Sequence, residues 1–372
     1  MHLLKSLPRI CVFVTFFVLL VFFSACSSST PEIPADATVD IQTPMEPEAA
    51  ATETASPTAT PQPKIYLVGL DGAETPDTLC SAFELFQQLA AQHGLVVEQS
   101  SDLTSVGQLD GVQVVVVSST IPGIDSFASE HSSLQVLSIG KSDLQPGANL
   151  SLVNPEGDQA DYKGFIAGYL ASVITQDWRV GVITEAESVS GSVIGNSYSH
   201  GVVFFCGLCR PVYPPFYVYP IISEVPINAS QEAHQAAADL LITSGVRTVY
   251  VQGSIAEDYL LTYLADEGMQ FILDRMPLPE FQDAWVATLD IDLTQAIQTA
   301  WQRLMQGEHG FSISAPLRIQ ASNDAILSPG RLQLVEKILD DLNQGYIDTG
   351  VGNETDGRSE ERRVGKECRS RW

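Results

Sequence analysis

The residues best suited to binding chemistry are the hydroxyl, amide and carboxylate side chains that follow the apolar runs of the sequence. Ser118 and Ser119 follow "VQVVVV", and Glu185 follows "VGVIT". Groups of this kind at converging loops suit hydroxylated or cationic small molecules. The alternative is that each is a turn or helix-capping residue, because Ser, Thr and Asp are common in those roles. The candidates predicted to bind a small-molecule ligand together are Asp71, Thr75, Asp77, Ser118, Ser119, Glu185, Gln252, Asp274 and Asp290.

The sequence contains none of the short motifs that mark common catalytic, nucleotide or metal sites. It has no GxSxG, GxxxxGK[ST] or HExxH, and no GxGxxG after a strand-like run. We therefore predict a protein that is not an enzyme, with no catalytic residues, no metal and no cofactor. Cys206 and Cys209 form a CxxC pair, but no thioredoxin-like strand precedes it and Pro211 ends the segment. We expect a local disulfide or two buried thiols at this pair.

The elements that must position these side chains alternate between strand-like and helix-like patterns. "GVQVVVVSST" (111–120) has the apolar run of a strand covered on both faces, and "TLCSAFELFQQLAAQHG" (78–94) has helical spacing. Repeated strand–helix–strand order implies parallel sheets with right-handed crossovers, and ligands bind at the carboxyl ends of such strands. The predicted strands are 64–70, 95–99, 111–120, 134–140, 178–184, 246–252, 269–274 and 284–289, and the predicted helices are 78–94, 161–175, 190–205, 230–245, 255–267, 292–306 and 329–344.

This order predicts an α/β fold of two doubly wound parallel-sheet lobes that are joined by a hinge. The first lobe is predicted at 64–160, and the second at 161–352 with return segments to the first. Two regions, 211–224 and 311–327, are predicted to be extended. The first of them, "PVYPPFYVYPIISE", either lines the cleft and stacks a ring or packs into the core of the second lobe.

The first 25 residues have the pattern of a bacterial signal peptide with a lipid-attachment site. The apolar run Ile10–Phe23 is 14 residues long, whereas a membrane span needs roughly 20, and two basic residues precede it. The small residues before Cys26 resemble a lipobox, in which the cysteine becomes the lipidated first residue. We predict a signal peptide at 1–25 and an extracytoplasmic protein of the bacterial cell envelope, anchored to the bilayer by lipid on Cys26. An uncleaved N-terminal anchor is the alternative.

The segments that flank the two lobes have compositions that cannot form a core. Residues 27–63 hold seven prolines, eleven Ser or Thr, six acidic residues and no Lys or Arg. We predict that 26–63 is the lipidated Cys26 followed by a disordered linker, and that 353–372 is a disordered tail. The stretch 358–372 carries six of the 19 Lys and Arg, and it is either non-native or a short native tail. The formal net charge of −26 argues against nucleic acid or anionic lipid as a partner.

Three stretches carry a resemblance to a known family. "GFIAGYLASVITQDWRVGVIT" (164–184) resembles the helix–strand signature of the BMP family of lipoproteins, the PnrA-like substrate-binding proteins of ABC importers. "WVATLDIDLTQAIQTAWQRLMQGEHG" (285–310) and "LQLVEKILDDLNQGYIDTG" (332–350) are similar to that family in layout. The resemblance implies a type-I periplasmic-binding-protein fold, a small ligand bound between two lobes and an ABC permease as partner. In the best-known members the ligand is a nucleoside.

The residues that bind ligand in that family are matched here only in part. Asp274 matches the Asp that ends a second-lobe strand, and Thr75 falls near another family Asp. Thr78, Leu79 and Ile291 stand where the family has an aromatic residue, an amide and a lysine. The expected function is therefore lipid-anchored capture of a small polar solute, a nucleoside or a related compound, for an ABC importer. The alternatives are a ligand-sensing module for a membrane receptor and a degenerate envelope protein that binds nothing.

Overall fold

The computed structural model describes residues 63–70, 77–106, 110–207 and 210–351, all of which belong to one unit of the chain, Ala59–Trp372. Side chains are described from residue 81 onward within the first helix. Several predictions therefore concern parts outside the described residues. These parts are the signal peptide at 1–25, Cys26 and the linker up to residue 62, Asp71, Thr75, the side chain of Asp77, Cys209, and the tail at 353–372.

The described residues alternate between strands and helices along most of their length. The strands are β1 (Lys64–Val68), β2 (Val96–Ser100), β3 (Val112–Ser118), β4 (Gln135–Ile139), β5 (Leu150–Val153), β6 (Val180–Glu185), β7 (Ile221–Val225), β8 (Thr248–Val251), β9 (Gln270–Leu273), β10 (Trp285–Ile291), β11 (Ser312–Ile313) and β12 (Leu317–Ser322). The helices are α1 (Asp77–Gln92), α2 (Ile124–Glu130), α3 (Ala160–Ile174), α4 (Val189–Cys206), α5 (Gln231–Thr243), α6 (Asp258–Asp266), α7 (Leu293–Met305) and α8 (Pro329–Asn343).

The strands form two six-stranded sheets, one in each lobe. The first sheet has the order β2-β1-β3-β4-β5-β11, and every neighbouring pair is parallel. The second has the order β7-β6-β8-β9-β10-β12, parallel except for the antiparallel pair β10–β12. In both sheets the second strand along the chain lies at the edge, which is the doubly wound arrangement. The prediction of two doubly wound α/β lobes is confirmed.

The four-valine run of β3 shows why this sequence forms a central strand. Val114 and Val116 pack on one face of the first sheet with Phe86 of α1 and Trp301 of α7. Val115 and Val117 face the opposite side. Successive side chains of a strand point to opposite faces, so a strand covered on both faces must be apolar at every position. The second sheet is covered in the same way, by α3, α4 and α8 on one face and by α5 and α6 on the other.

Helices α3 and α4 approach each other more closely than ordinary side chains permit. A Cβ added at Gly168 would overlap the carbonyl oxygen of Tyr198, and one added at Gly201 would overlap that of Phe165. Gly164 meets the backbone of Ile194 in the same way. Twelve of the 15 residues of α3 are buried. These glycines therefore permit the close approach of α3 and α4.

Three short crossovers join the carboxyl edges of the two sheets. Residues 154–159 lead from β5 into α3, Asp292 lies between β10 and α7, and 314–316 connect β11 to β12. Hydrogen bonds link them: the Asp292 N–H donates to Pro316 O over 2.8 Å, and Gln159 Nε2 donates to Ala315 O over 2.7 Å. The chain leaves β5, β10 and β11 at their carboxyl ends, so both carboxyl edges face the crossovers.

Several elements were not predicted from the sequence, and the segment 211–224 matches its prediction only in part. The structure contains β5 and α2, which were not predicted. It also shows that the region 311–327, predicted to be extended, forms the two strands β11 and β12. In 211–224 only the last residues belong to a strand. Tyr219 is 6% exposed and packs into the core of the second lobe, as one of the two alternatives predicted, whereas Tyr213 and Phe216 are 75% and 70% exposed. The connection from α4 to β7 places the exposed side chains at the amino ends of the strands, away from the cleft that they were predicted to line. Among the described helices, none has the length and hydropathy that a membrane span requires.

Candidate ligand-binding cleft

The second-lobe edge of the candidate cleft is built from the residues that end β6 and β8. The Glu185 N–H donates to Gln252 Oε1 over 2.9 Å, and Ser254 Oγ donates to Glu185 Oε2 over 3.0 Å. Gln252 is buried, whereas Glu185 is half-buried. The two strand ends are thus held together by side chains, and the Glu185 carboxylate keeps lone pairs that Ser254 does not use.

A buried charge cluster lies beside this edge, where β9 ends and α3 begins. The Lys163 ammonium is ion-paired with Asp158 and lies 3.8 Å from Asp274 Oδ2, to which the Tyr250 hydroxyl donates over 3.3 Å. The side chains of Lys163 and Asp274 are 6% and 9% exposed, whereas that of Asp158 is 62% exposed. A buried charge requires a partner, and here one cation serves two carboxylates.

The Asp274 carboxylate is only partly satisfied. Its Oδ1 is buried, has no hydrogen bond of regular geometry and lies against Gly253. Burial raises the pKa of the Asp274 carboxyl above its usual value, while the Lys163 cation and the Gly253 N–H act in the lowering direction. Burial also raises the pKa of the Tyr250 hydroxyl well above its usual value, so this group stays protonated and donates. Asp274 therefore keeps an acceptor at the edge that faces the other lobe.

The first-lobe edge presents hydroxyl groups in its described part. Ser118 Oγ and Thr120 Oγ1 are 2.9 Å apart after β3. Ser119 packs against Gly140 at the end of β4, where a Cβ would lie 2.8 Å from Ser119 Oγ and the φ of +102° favours glycine. Ser118 is buried and Ser119 half-buried, so Ser119 is the better placed of the two to meet a ligand.

Asp290 has a different set of contacts from the other candidates. Arg318 donates from Nη2 to Asp290 Oδ2 over 3.0 Å and from Nη1 to Asp292 Oδ2 over 2.9 Å. The same Asp292 caps α7 through the Gln295 N–H. Asp290 thus joins a network at the crossovers instead of the cluster around Asp274. Asp77 begins α1, at the same edge as the end of β1.

Lys163 is a candidate site residue that the sequence analysis did not single out, although the sequence carries a signal for it. No other charged residue occurs between Lys163 and Asp177, and α3 is apolar over that range. A cation in the first turn of a helix interacts unfavourably with the helix dipole, so it implies acidic partners elsewhere in the fold.

Among the described residues no group of three or more metal-ligating side chains comes together. Cys206 ends α4 and takes part in a disulfide, but its predicted pairing with Cys209 stays a prediction.

The fold is similar to those of solved periplasmic-binding-type proteins. A solute-binding protein of an ABC transporter system from Aeropyrum pernix K1 has a TM-score of 0.50 and 13% identity, with 82% of this chain and 96% of that chain covered. A sugar-binding protein of a sugar ABC transporter from Bacillus halodurans has the same score and identity over 72% and 99%. No protein-family profile and no curated protein matches the sequence. At this identity the likeness concerns the fold, which is that of a two-lobed periplasmic-binding-type protein.

Proposed function

We propose that this chain is an extracytoplasmic solute-binding protein that captures a small polar molecule between its two lobes and delivers it to an ABC importer. The observation that carries the proposal is the partly satisfied, buried Asp274 carboxylate at the edge that faces the first lobe. Glu185 adds a second carboxylate to this edge, and Ser119 contributes a hydroxyl on the other side. Both carboxylates favour a ligand that donates hydrogen bonds, either a hydroxylated or a cationic one.

The crossovers provide the mechanism of capture. Each of the three is short, and hydrogen bonds link them to one another. Asn154 and Gln159, at the two ends of the first crossover, have positive φ values of 54° and 48°, which few non-glycine residues adopt. Changes in a few such backbone angles would close the lobes as hinge motion. Closure would exclude water from the cleft and strengthen the contacts of the carboxylates with a ligand.

Three narrower parts of the proposal, the lipid anchor, membership of the BMP family and the nucleoside as ligand, are supported by the sequence. The lipobox-like residues before Cys26 support a lipid anchor, and the stretch 164–184 supports membership of the BMP family. Asp274, the matched family residue, is at the proposed site. Thr78, Leu79 and Ile291 replace three family positions, so the nucleoside is one candidate within the wider class of hydroxylated and cationic solutes.

The test is a thermal-shift screen of the chain starting at Ser27. Every member of the four hydrophobic cores of the described residues lies between Ile65 and Ile347, so this chain keeps the whole core. The screen uses adenosine, ribose, L-arginine, spermidine and L-glutamate. A compound present at a hundred times its Kd raises the unfolding free energy by about 2.7 kcal/mol, or the Tm by about 4 °C at this size. We expect a shift with a hydroxylated or cationic compound and none with L-glutamate.

Asp274→Asn is expected to abolish the shift, and Asp324→Asn, which alters an exposed carboxylate, is the matched control. A shift that survives Asp274→Asn would show that Asp274 is not part of the binding site.

The second candidate function is a non-binding envelope protein, favoured by the internal pairing of Lys163 with two carboxylates. It predicts cooperative melting with no shift for any compound. Cross-linking in the membrane separates an importer from a sensor, because the captured partner is a permease in one case and a receptor in the other.

A further inference from the structure

A patch of exposed aromatic and aliphatic side chains lies on the second lobe, between the end of α4 and the start of β7. We call it the aromatic patch. Its members are between 49% and 89% exposed, and no other stretch of the described residues exposes so many large apolar side chains together. Exposed apolar groups in one contiguous area mark an interaction surface. The members of the aromatic patch are Val203, Phe204, Val212, Tyr213, Phe216, Tyr217 and Val218.

The aromatic patch is at the opposite end of the second lobe from the cleft. Helix α4 begins where β6 ends and runs 18 residues back toward the amino ends of the strands. Arg179, which precedes β6, donates from Nη2 to the carbonyl oxygens of Tyr213 and Pro214 over 3.0 and 3.1 Å. Pro215 packs within 3.5 Å of the position of a Cβ on Gly245, ahead of β8. The loop is therefore fixed to the amino edge of the second sheet, and occupation of the aromatic patch would leave the cleft accessible.

Four members of the aromatic patch line a groove, and the charged residue in the lining is basic, whereas the chain as a whole is acidic. The groove has a volume of about 600 Å³ and is lined by Arg210, Phe216 and Tyr217 among others. No Asp or Glu occurs between Glu187 and Glu224, although the chain has 45 acidic residues among 372. The only charged side chain of that stretch is Arg210.

We propose that the aromatic patch inserts into the interfacial region of a lipid bilayer. Tyr and Phe combine an apolar ring with, in Tyr, a polar tip, and Arg reaches lipid phosphates, which is the composition that membrane interfaces favour. A second copy of this chain is the weaker choice of occupant. Each copy has a formal net charge of −26, so two copies repel each other, whereas a zwitterionic bilayer does not.

This inference specifies how the proposed solute-binding protein is oriented on the membrane. It rests on the proposed function, because the lipid anchor on Cys26 would bring the aromatic patch to the bilayer. Residues 27–63 separate Cys26 from Lys64, and 37 residues extend to at most about 125 Å, so an anchor on Cys26 leaves the aromatic patch free to reach the same membrane. With the amino edge of the second lobe on the lipid, the cleft points away from the bilayer and is open to solute, and transfer to a permease requires release of the aromatic patch from the lipid.

The test measures binding of the chain starting at Ser27 to extruded phosphatidylcholine vesicles by flotation. This chain lacks Cys26, so the result does not depend on acylation or on solute binding. We expect part of the wild-type protein to float with the vesicles. Val218→Glu, at an 89% exposed position in the aromatic patch, should lower the partition coefficient at least tenfold. Val189→Glu, at an 83% exposed position at the start of α4, adds the same charge outside the patch and should have no effect.

A second pair of variants separates ring insertion from charge. Tyr213→Ser in the aromatic patch and Tyr346→Ser after α8 remove tyrosines that are 75% and 77% exposed. Only Tyr213→Ser should weaken binding, by about threefold or more. The proposal is overturned if the wild-type chain stays with the soluble fraction, or if both members of either pair lose binding equally. It is also overturned if light scattering finds a dimer that Val218→Glu dissociates while no vesicle binding occurs, since the occupant is then a second copy.

Discussion

The two edges that face each other across the crossovers differ in how they are built. The second-lobe edge carries Glu185 and the Lys163–Asp274 pair, and it is supported by the glycine-mediated contact of α3 with α4. The first-lobe edge, in its described part, carries the hydroxyls of Ser118 and Ser119. Buried charges require a rigid support, because a displaced partner leaves a charge unpaired, whereas hydroxyls tolerate small shifts. We infer that the second lobe supplies most of the ligand affinity. We also infer that the packing of α3 against α4 keeps its charged groups in position.

The largest expected effect comes from the support of the second-lobe edge. In Gly168→Ala the new methyl group would overlap the Tyr198 carbonyl oxygen, a backbone atom that cannot rotate away. We expect a loss of about 3 kcal/mol in the free energy of unfolding, measured by urea denaturation. Gly195→Ala is the matched control in α4, since its nearest neighbour is a side chain of Ile222 at 3.4 Å. It should be stabilising by up to about 1 kcal/mol. Equal effects of the two substitutions would disprove the close-packing argument.

The next effect in size concerns the charge cluster. Lys163→Met keeps an unbranched side chain, one atom shorter, but leaves the buried Asp274 without its cation. We expect a loss of about 2 kcal/mol in unfolding free energy at neutral pH, less than for a fully buried pair because Asp158 is more than half exposed. Lys337→Met alters an exposed lysine on α8 and should change stability by less than about 0.5 kcal/mol. A stable Lys163→Met variant would mean that Asp274 is already neutral in the folded protein.

A pH series tests the ionisation of Asp274 directly. Its pKa is raised in the folded state, so the folded state binds this proton more tightly than the unfolded state does. The contribution of Asp274 to stability is therefore fully present below the unfolded pKa and is lost as the pH rises through the folded pKa. We expect the unfolding free energy of the wild type, relative to Asp274→Asn, to increase as the solution is acidified from neutral pH. A relative stability that decreases on acidification would indicate a lowered pKa and a dominant ion pair with Lys163.

The smallest effects should come from the first-lobe edge. With the compound that gives the largest thermal shift, Ser119→Ala should raise the Kd by about two- to tenfold, the range for a neutral hydrogen bond. Glu185→Gln should raise it by more than tenfold, because a charged acceptor is lost. Isothermal titration calorimetry measures both values. A larger effect for Ser119→Ala than for Glu185→Gln would reverse the comparison between the two edges.

Much of the fold followed from local patterns in the sequence. The run of valines in β3 predicted a strand covered on both faces, and the helical spacing in 78–94 predicted α1. Short β5 was missed because a run of four residues gives little periodicity. The position of Glu185 and Gln252 at strand ends also followed from the sequence, since the carboxyl end of a strand is defined by where its apolar run stops.

The sequence by itself determined which residues are strands, which faces of helices are apolar and which polar groups end the strands, because these depend on neighbours a few positions away. Only the tertiary structure decided that Lys163 forms ion pairs with Asp158 and Asp274. The same holds for the ion pair of Arg318 with Asp290 and for the position of the aromatic patch at the amino edge. These outcomes depend on contacts between residues far apart in the chain. Local periodicity specifies that a side chain is buried or exposed, but the crossovers and sheet order select the partner that it meets.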